Sequence, residues 1–269
     1  MTKVKIVSGW TDPGGSTISF INLCNLFNTN GHDCVLYGPH EWHLDQCKGS
    51  LHHLSMLQGN PGEILLTHFV ELKERPQGFD KVILTCHEKE SWKVKDNPVH
   101  WDEIVYVSES QRDWQGVYGR VIPNVIENLD FFDWSSQKET TAVGIIGGIE
   151  PNKQTHLSIE RALADGHTNI LIFGVIHSEE YYETKIKHYV DSGKVFMMGF
   201  EKNKQFMYNQ VEKVYHSSKS ETFNLVKAEC EMLTLDFDSL PSANSGADYG
   251  MSNAAILKEW EKCFKIIQE

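Results

Sequence analysis

A chain of 269 residues, 40% hydrophobic and 23% charged, has the composition of an ordinary globular protein with room for about two domains. Its net charge of −12 repels polyphosphate at long range and disfavours nucleic acid as a simple electrostatic partner. No apolar run is long enough to span a bilayer, and the polar start MTKVKIVSGW does not read as a signal peptide; six cysteines without C-x-x-C spacing point to a reducing, cytoplasmic setting without disulfides.

In chain order, KVKIV (3–7) alternates and is β-branched, which predicts a strand. SGWTDPGGST (8–17) is turn chemistry, with Ser16 or Thr17 placed to cap a helix whose apolar residues recur at Ile18, Ile21, Cys24 and Phe27. DCVLYG (33–38) is the next strand, so the chain opens with a βαβ unit that carries a glycine pair, Gly14–Gly15, at its first strand–helix junction. Residues 39–62 read as loop and short helix. Strands follow at 63–69, 80–87, 102–108 and 119–124. The polar stretch DWSSQKETT (133–141) reads as a linker.

A second alternating series then opens. Strands are predicted at 142–148, 169–174, 194–199 and 213–218, and helices at 154–165, 178–191, 203–212 and 222–232. Such alternation argues for a parallel sheet covered on both faces. Residues 236–251 read as loop, and 252–268 as an amphipathic helix capped by Ser252. The fold class expected is α/β: two tandem Rossmann-like domains, residues 1–132 and 142–251, with 133–141 between them. The C-terminal helix 252–269 has a return to the N-terminal domain as one possible course. The ligand is expected in an interdomain cleft, beyond the carboxyl ends of the strands.

The stretch SSKSETFNLVKAECEM (217–232) holds Glu221 near a helix start and Glu229 eight residues later, about 12 Å apart at 1.5 Å per helical residue. Free amides at a helix start favour an anion such as a diphosphate. Two carboxylates flanking such a point suit an elongated ligand with hydroxyls at both ends. From spacing alone, Glu221 reads first as an acidic residue at a helix N-terminus and Glu229 as a solvated helix position. The adjacent His52–His53 pair diverges on any regular element, so no metal site is expected. Lys185, Lys187, Lys194, Lys202 and Lys204 gather in one region, which reads first as a solvated helical face.

ETFNLVKAEC resembles the E-G-F-G-L-V-x-x-E-A signature of retaining GT-B glycosyltransferases, family four in particular, with Thr222 and Asn224 in place of two glycines. Further stretches resemble that family in the same order: residues 8–38, ILTCHEKE, VYVSESQRDW, VIPNVIENLDFF, and GIIGGIEPNKQTHLSIERAL against the family's G-R-L-x-x-x-K-G. The resemblance covers most of 1–232, and the chain's compression resembles minimal, phage-encoded members.

The resemblance implies roles. Gly14 and Gly15 let the backbone approach donor phosphates. Lys153 neutralises the diphosphate leaving group, Glu221 contacts donor-sugar hydroxyls and Glu229 the ribose. The amides of Phe223, Asn224 and Leu225 lie near phosphate, His87 sits by the reacting sugar and Phe200 flanks the base. His87, Glu221 and Lys153 are thus the catalytic candidates. Gly148 stands where the family has an arginine. The implied reaction is transfer from a nucleotide sugar, UDP-linked by expectation, to a saccharide or small-molecule hydroxyl with retention, needing neither cofactor nor obligatory metal. The alternatives are a DNA glycosyltransferase acting on hydroxymethylated bases, a nucleotide-sugar epimerase of the same fold, and an interaction protein without activity.

Overall fold

The structure, a computed structural model, describes residues 1–9, 14–39, 47, 49–68, 74–87, 93–97, 99–130, 141–243 and 250–265. The chain divides into two compact units. Residues 1–126 and 246–269 form the first, and residues 127–245 the second. Most of the expected linker, 133–140, lies outside the described residues.

The first unit is a parallel sheet of strands β1 (Lys3–Ser8), β2 (Asp33–Gly38), β3 (Ser50–His53), β4 (Glu63–His68), β5 (Lys81–Cys86), β6 (Glu103–Tyr106) and β7 (Arg120–Val121). Their spatial order is β3-β2-β1-β4-β5-β6-β7. β4 and β5 are buried at every position, as EILLTH and KVILTC allow only in a sheet covered on both faces. Helix α1 (Gly15–Thr29) lies on one face, and its buried residues Phe20, Ile21, Cys24 and Phe27 share a core with Ile6, Leu36 and Leu66.

The helix α2 (Glu109–Gln115) follows β6, capped by Ser108 Oγ on the Gln111 amide. The C-terminal helix of the described chain, which becomes α8 below, runs from Asn253 to Phe264 with Ser252 as its cap. It belongs to this first unit: Trp260 and Phe264 meet Phe27 at ring-centroid distances of 6.0 and 5.2 Å. The opposite face packs Tyr37, Leu65, Leu84, Trp101 and Tyr106.

The second unit is a parallel sheet of β8 (Val143–Ile146), β9 (Ile170–Phe173), β10 (Val195–Gly199), β11 (Lys213–His216) and β12 (Asp236–Ser239). Their order is β10-β9-β8-β11-β12. One face is covered by α3 (Thr155–Ala164) and by α4 (Glu179–Tyr181) and α5 (Lys187–Asp191), which a π-turn at Tyr182–Ile186 joins; its core holds Ile145, Ile159, Ile172, Ile186 and Tyr215. The other is covered by α6 (Lys204–Tyr208) and α7 (Leu225–Leu233) over Phe173, Val214 and Cys230. With α8 at 253–264, two parallel α/β sheets of the Rossmann type account for the described elements.

Several local expectations need correction. Helix α1 is capped by the extended backbone of Gly14 without a side-chain bond, so Ser16 and Thr17 lie inside the helix. Two strands occupy stretches read as loop: β3 in SLHH and β12 in DFDS. Both are edge strands whose pairing on one side overrides weak local patterns, and acidic side chains are what an exposed edge favours. The helix expected at 203–212 stops at Tyr208, and the one expected from 222 starts at Leu225, because Asn224 caps it by accepting the Lys227 amide at 3.0 Å.

Candidate functional site

The order β10-β9-β8-β11-β12 fixes where a ligand is expected in the second unit. From β8 the chain steps outward through β9 and β10, then returns to the other side of β8 to lay down β11 and β12. The reversal lies between β8 and β11, and an open parallel sheet is split by diverging loops at the carboxyl end of such a point. The loop after β8 carries Lys153, and the loop after β11 carries Glu221. Residues 68 apart in sequence thereby meet: Lys153 Nζ donates to Glu221 Oε1 at 2.6 Å.

The two loops are also stitched through the backbone. The Lys219 amide donates to the Asn152 carbonyl at 2.8 Å, and Ser218 Oγ reaches the same carbonyl at 3.4 Å. Directly after Lys153 the chain turns into α3 through Gln154, whose φ of +47° is left-handed. A non-glycine residue pays about 1 kcal/mol or more for that conformation. The family pattern has glycine at this position, so this chain accepts a strained turn beside its lysine.

Sequence reasoning missed His216, the last residue of β11. Its Nε2 lies 3.0 Å from Glu221 Oε1, and its ring is buried beside Phe237 of β12, 5.9 Å between centroids. Burial alone would raise the Glu221 carboxyl, but the Lys153 charge and the His216 hydrogen bond outweigh it and hold the group at about 2. Glu221 is therefore a carboxylate at any neutral pH. Arg161 of α3 underpins this strand end, donating to the His216 carbonyl and Ser217 Oγ and pairing with Asp238.

Asn224 caps α7 at this edge, so the amides of Phe223, Asn224 and Leu225 stand at its N-terminal end, two to four residues after Glu221. Glu229 is a different matter. It is 2% exposed, and both oxygens are in use: Oε1 pairs with Lys204 of α6, and Oε2 accepts from the Tyr208 hydroxyl at 2.6 Å. Burial, with the Glu229 charge beside it, pushes the Tyr208 phenol well above its ordinary range, so it stays a donor. Sequence reasoning placed Lys204 only on a solvated helical face and did not single out Tyr208. Of the clustered lysines, Lys204 is thus spent on Glu229 and Lys187 is paired with Glu183. Phe200 follows β10 at the same carboxyl edge and is partly exposed.

Gly148, where the family pattern has arginine, is covered by His177: a Cβ there would lie 2.4 Å from the imidazole Cδ2. Gly174 on the neighbouring loop is closer still to its surroundings, with a Cβ falling 1.9 Å from the Gly147 carbonyl oxygen.

In the first unit, Gly14 and Gly15 open α1 directly after the loop that follows β1. His87 follows β5 and is buried against Phe20 and His68, at ring-centroid distances of 4.7 and 5.0 Å. It borders a small recess with Ser19, Thr85, Val107, Asn124 and Trp260. Burial drives its imidazole down to about 3 and drives His68 well below the ordinary histidine range, so both rings are neutral near pH 7. Among the described residues, no helix is long and apolar enough to cross a membrane.

No protein-family model and no curated protein matches the sequence. Solved structures do match the fold. HepE from Anabaena, in complex with UDP and glucose, has a TM-score of 0.70 at 13% identity, over 100% of this chain and 91% of its own. TarM from S. aureus, a variant in complex with fondaparinux, α-GlcNAc-glycerol and UDP, has a TM-score of 0.72 at 10% identity, over 99% and 100% of the two chains. AviGT4, a glycosyltransferase involved in avilamycin A biosynthesis, has a TM-score of 0.65 at 15% identity, over 96% and 88%. These neighbours are GT-B glycosyltransferases, and the chain shares their fold.

Proposed function

We propose that the chain is a retaining glycosyltransferase that takes a sugar from a UDP-linked donor and delivers it to the hydroxyl of a saccharide or small molecule. The observation that carries this reading is the Lys153–Glu221 pair, formed by two loops at the strand-order reversal beside the start of α7. The shared fold supports it, because HepE and TarM are both seen with UDP.

In this reading the diphosphate lies against the amides at the start of α7 and against the Lys153 ammonium. Both stabilise negative charge as it builds on the departing phosphate oxygen. The bond between the anomeric carbon and that oxygen breaks, and the acceptor oxygen bonds the anomeric carbon on the same face. The acceptor proton passes to the leaving phosphate. Glu221, an ionised acceptor of hydrogen bonds, holds donor-sugar hydroxyls. Ribose hydroxyls compete with Lys204 for Glu229, and Phe200 flanks the base. By the family resemblance alone, Gly14, Gly15 and neutral His87 of the first unit are assigned to the phosphates and the reacting sugar. The countercharge comes from Lys153 and the helix amides, so the reading needs no metal ion.

The experiment is a panel of nucleotide sugars incubated with the protein, read as UDP released with and without saccharide acceptors, with the product anomer assigned by NMR. UDP release and a retained anomer support the reading. Epimerised donor without transfer, or an inverted product, contradicts it.

A further inference from the structure

The two carboxylates of the site offer a ligand different things. Glu221 takes both its partners, Lys153 and His216, on Oε1, and among the described residues no donor reaches Oε2. Glu229 has a partner on each oxygen: Lys204 Nζ on Oε1, and the Tyr208 hydroxyl on Oε2 at 2.6 Å. Both partners come from α6, four residues apart, and so project from one face of that helix. The clamp is largely shielded from water, with Tyr208 buried and the Lys204 side chain 14% exposed.

We propose that Lys204 and Tyr208 set the donor specificity of the site: by occupying Glu229 they leave the ribose hydroxyls unread, and the chain accepts diphosphate sugars of deoxyribonucleosides as well as those of ribonucleosides. The inference rests on the diphosphate-sugar reading above. Glu229 lies one helical turn, about 6 Å, into α7 from Leu225. In that reading a ribose attached to a diphosphate at the helix start comes beside this carboxylate.

An open carboxylate that accepts a hydrogen bond from a ligand hydroxyl tightens binding by about 10- to 150-fold. At Glu229 the hydroxyl must first turn out a donor that is already there. Displacing Tyr208 exchanges one hydroxyl for another and strands a buried phenol. Displacing Lys204 exchanges an ammonium for a neutral donor and leaves a buried carboxylate without its countercharge. Neither exchange is a net gain, so the ribose hydroxyls add little to affinity. The donor is recognised instead at its other end, where Oε2 of Glu221 accepts from the sugar hydroxyls.

The test is titration calorimetry of the whole chain with UDP, 2′-deoxy-UDP and 2′,3′-dideoxy-UDP, which differ only in their ribose hydroxyls. The expected dissociation constants agree within about threefold, against the loss of about 10- to 150-fold that an open carboxylate gives. A larger loss than threefold with the dideoxy compound overturns the inference and leaves the donor reading standing, because UDP still binds. Failure of wild type to bind UDP overturns the donor reading and the inference with it. Lys204→Met assigns the effect. It opens Oε1 to the ribose, and the preference for UDP over 2′,3′-dideoxy-UDP rises to about tenfold or more. A lysine that only held the fold together would affect both ligands alike, so a preference equal to that of wild type overturns the assignment to Lys204. Should Lys204→Met not fold, the three wild-type constants decide the inference by themselves.

Discussion

Replacing Lys153 by methionine takes the ammonium from a carboxyl that burial would otherwise raise. Glu221 is held at about 2 against an ordinary 4.5, and that difference corresponds to about 3 kcal/mol of stability. Lys153 supplies the only permanent charge in the pair of contacts, so its loss costs about 2 kcal/mol at neutral pH. The sign follows from a depressed folded-state value. Stability from this group is complete above 4.5 and is lost as pH falls toward 2.

In the variant the carboxyl rises, so the difference from wild type is largest at pH 7 and shrinks as pH approaches 3. Hydrogen exchange of the β8 and β11 amides reads this in the second unit alone, which a global melt of a two-unit chain does not. In a Glu221→Gln background the same lysine substitution is expected to cost less than about 0.5 kcal/mol. A cost independent of pH, or one undiminished in that background, refutes the argument.

Tyr208→Phe removes the donor to a buried Glu229 oxygen and is expected to cost about 1–3 kcal/mol by chemical denaturation; a cost near zero shows that the bond is not formed in solution. Gly174→Ala drives a methyl into the Gly147 carbonyl and is expected to cost more than about 3 kcal/mol, whereas Gly148→Ala meets only the exposed His177 side chain and costs less than about 1 kcal/mol. Comparable melting temperatures for the two variants contradict that contrast. His87 is buried neutral, so its contribution to the first unit is complete above 6.5 and falls away as pH drops toward about 3; His87→Gln is expected to flatten that part of an acid-unfolding curve, and an unchanged curve refutes the assignment.

The parallel sheets were legible because their central strands are bought almost wholly from buried Val, Ile and Leu, as ILLTH and VILTC show. Edge strands were not. DFDS has one large apolar residue, and its pairing with β11 decides its conformation. Glu221 and Lys153 could be named from motif resemblance, but nothing local announces their contact. It depends on the crossing that places β11 beside β8.

His216 was invisible for a related reason. A histidine five residues before a glutamate has no fixed geometry until a strand ends between them. Glu229 shows the reverse error. Spacing offered it as an open carboxylate, whereas α6 packs Lys204 and Tyr208 onto it. That pairing is tertiary, across 25 and 21 residues. Gln154 and Gly148 depart from the family pattern beside the site, and the fold decides what each does: one holds a left-handed turn, the other makes room for His177.

The most direct test is hydrogen exchange of the whole chain with and without UDP at about 100 times its dissociation constant. Binding there stabilises amides that open only in the free form by about 2.7 kcal/mol. The account predicts protection concentrated in the loop 147–154 and in 217–225, where Lys153, Glu221 and the start of α7 lie. Protection confined to other segments, or none at any UDP concentration, contradicts it.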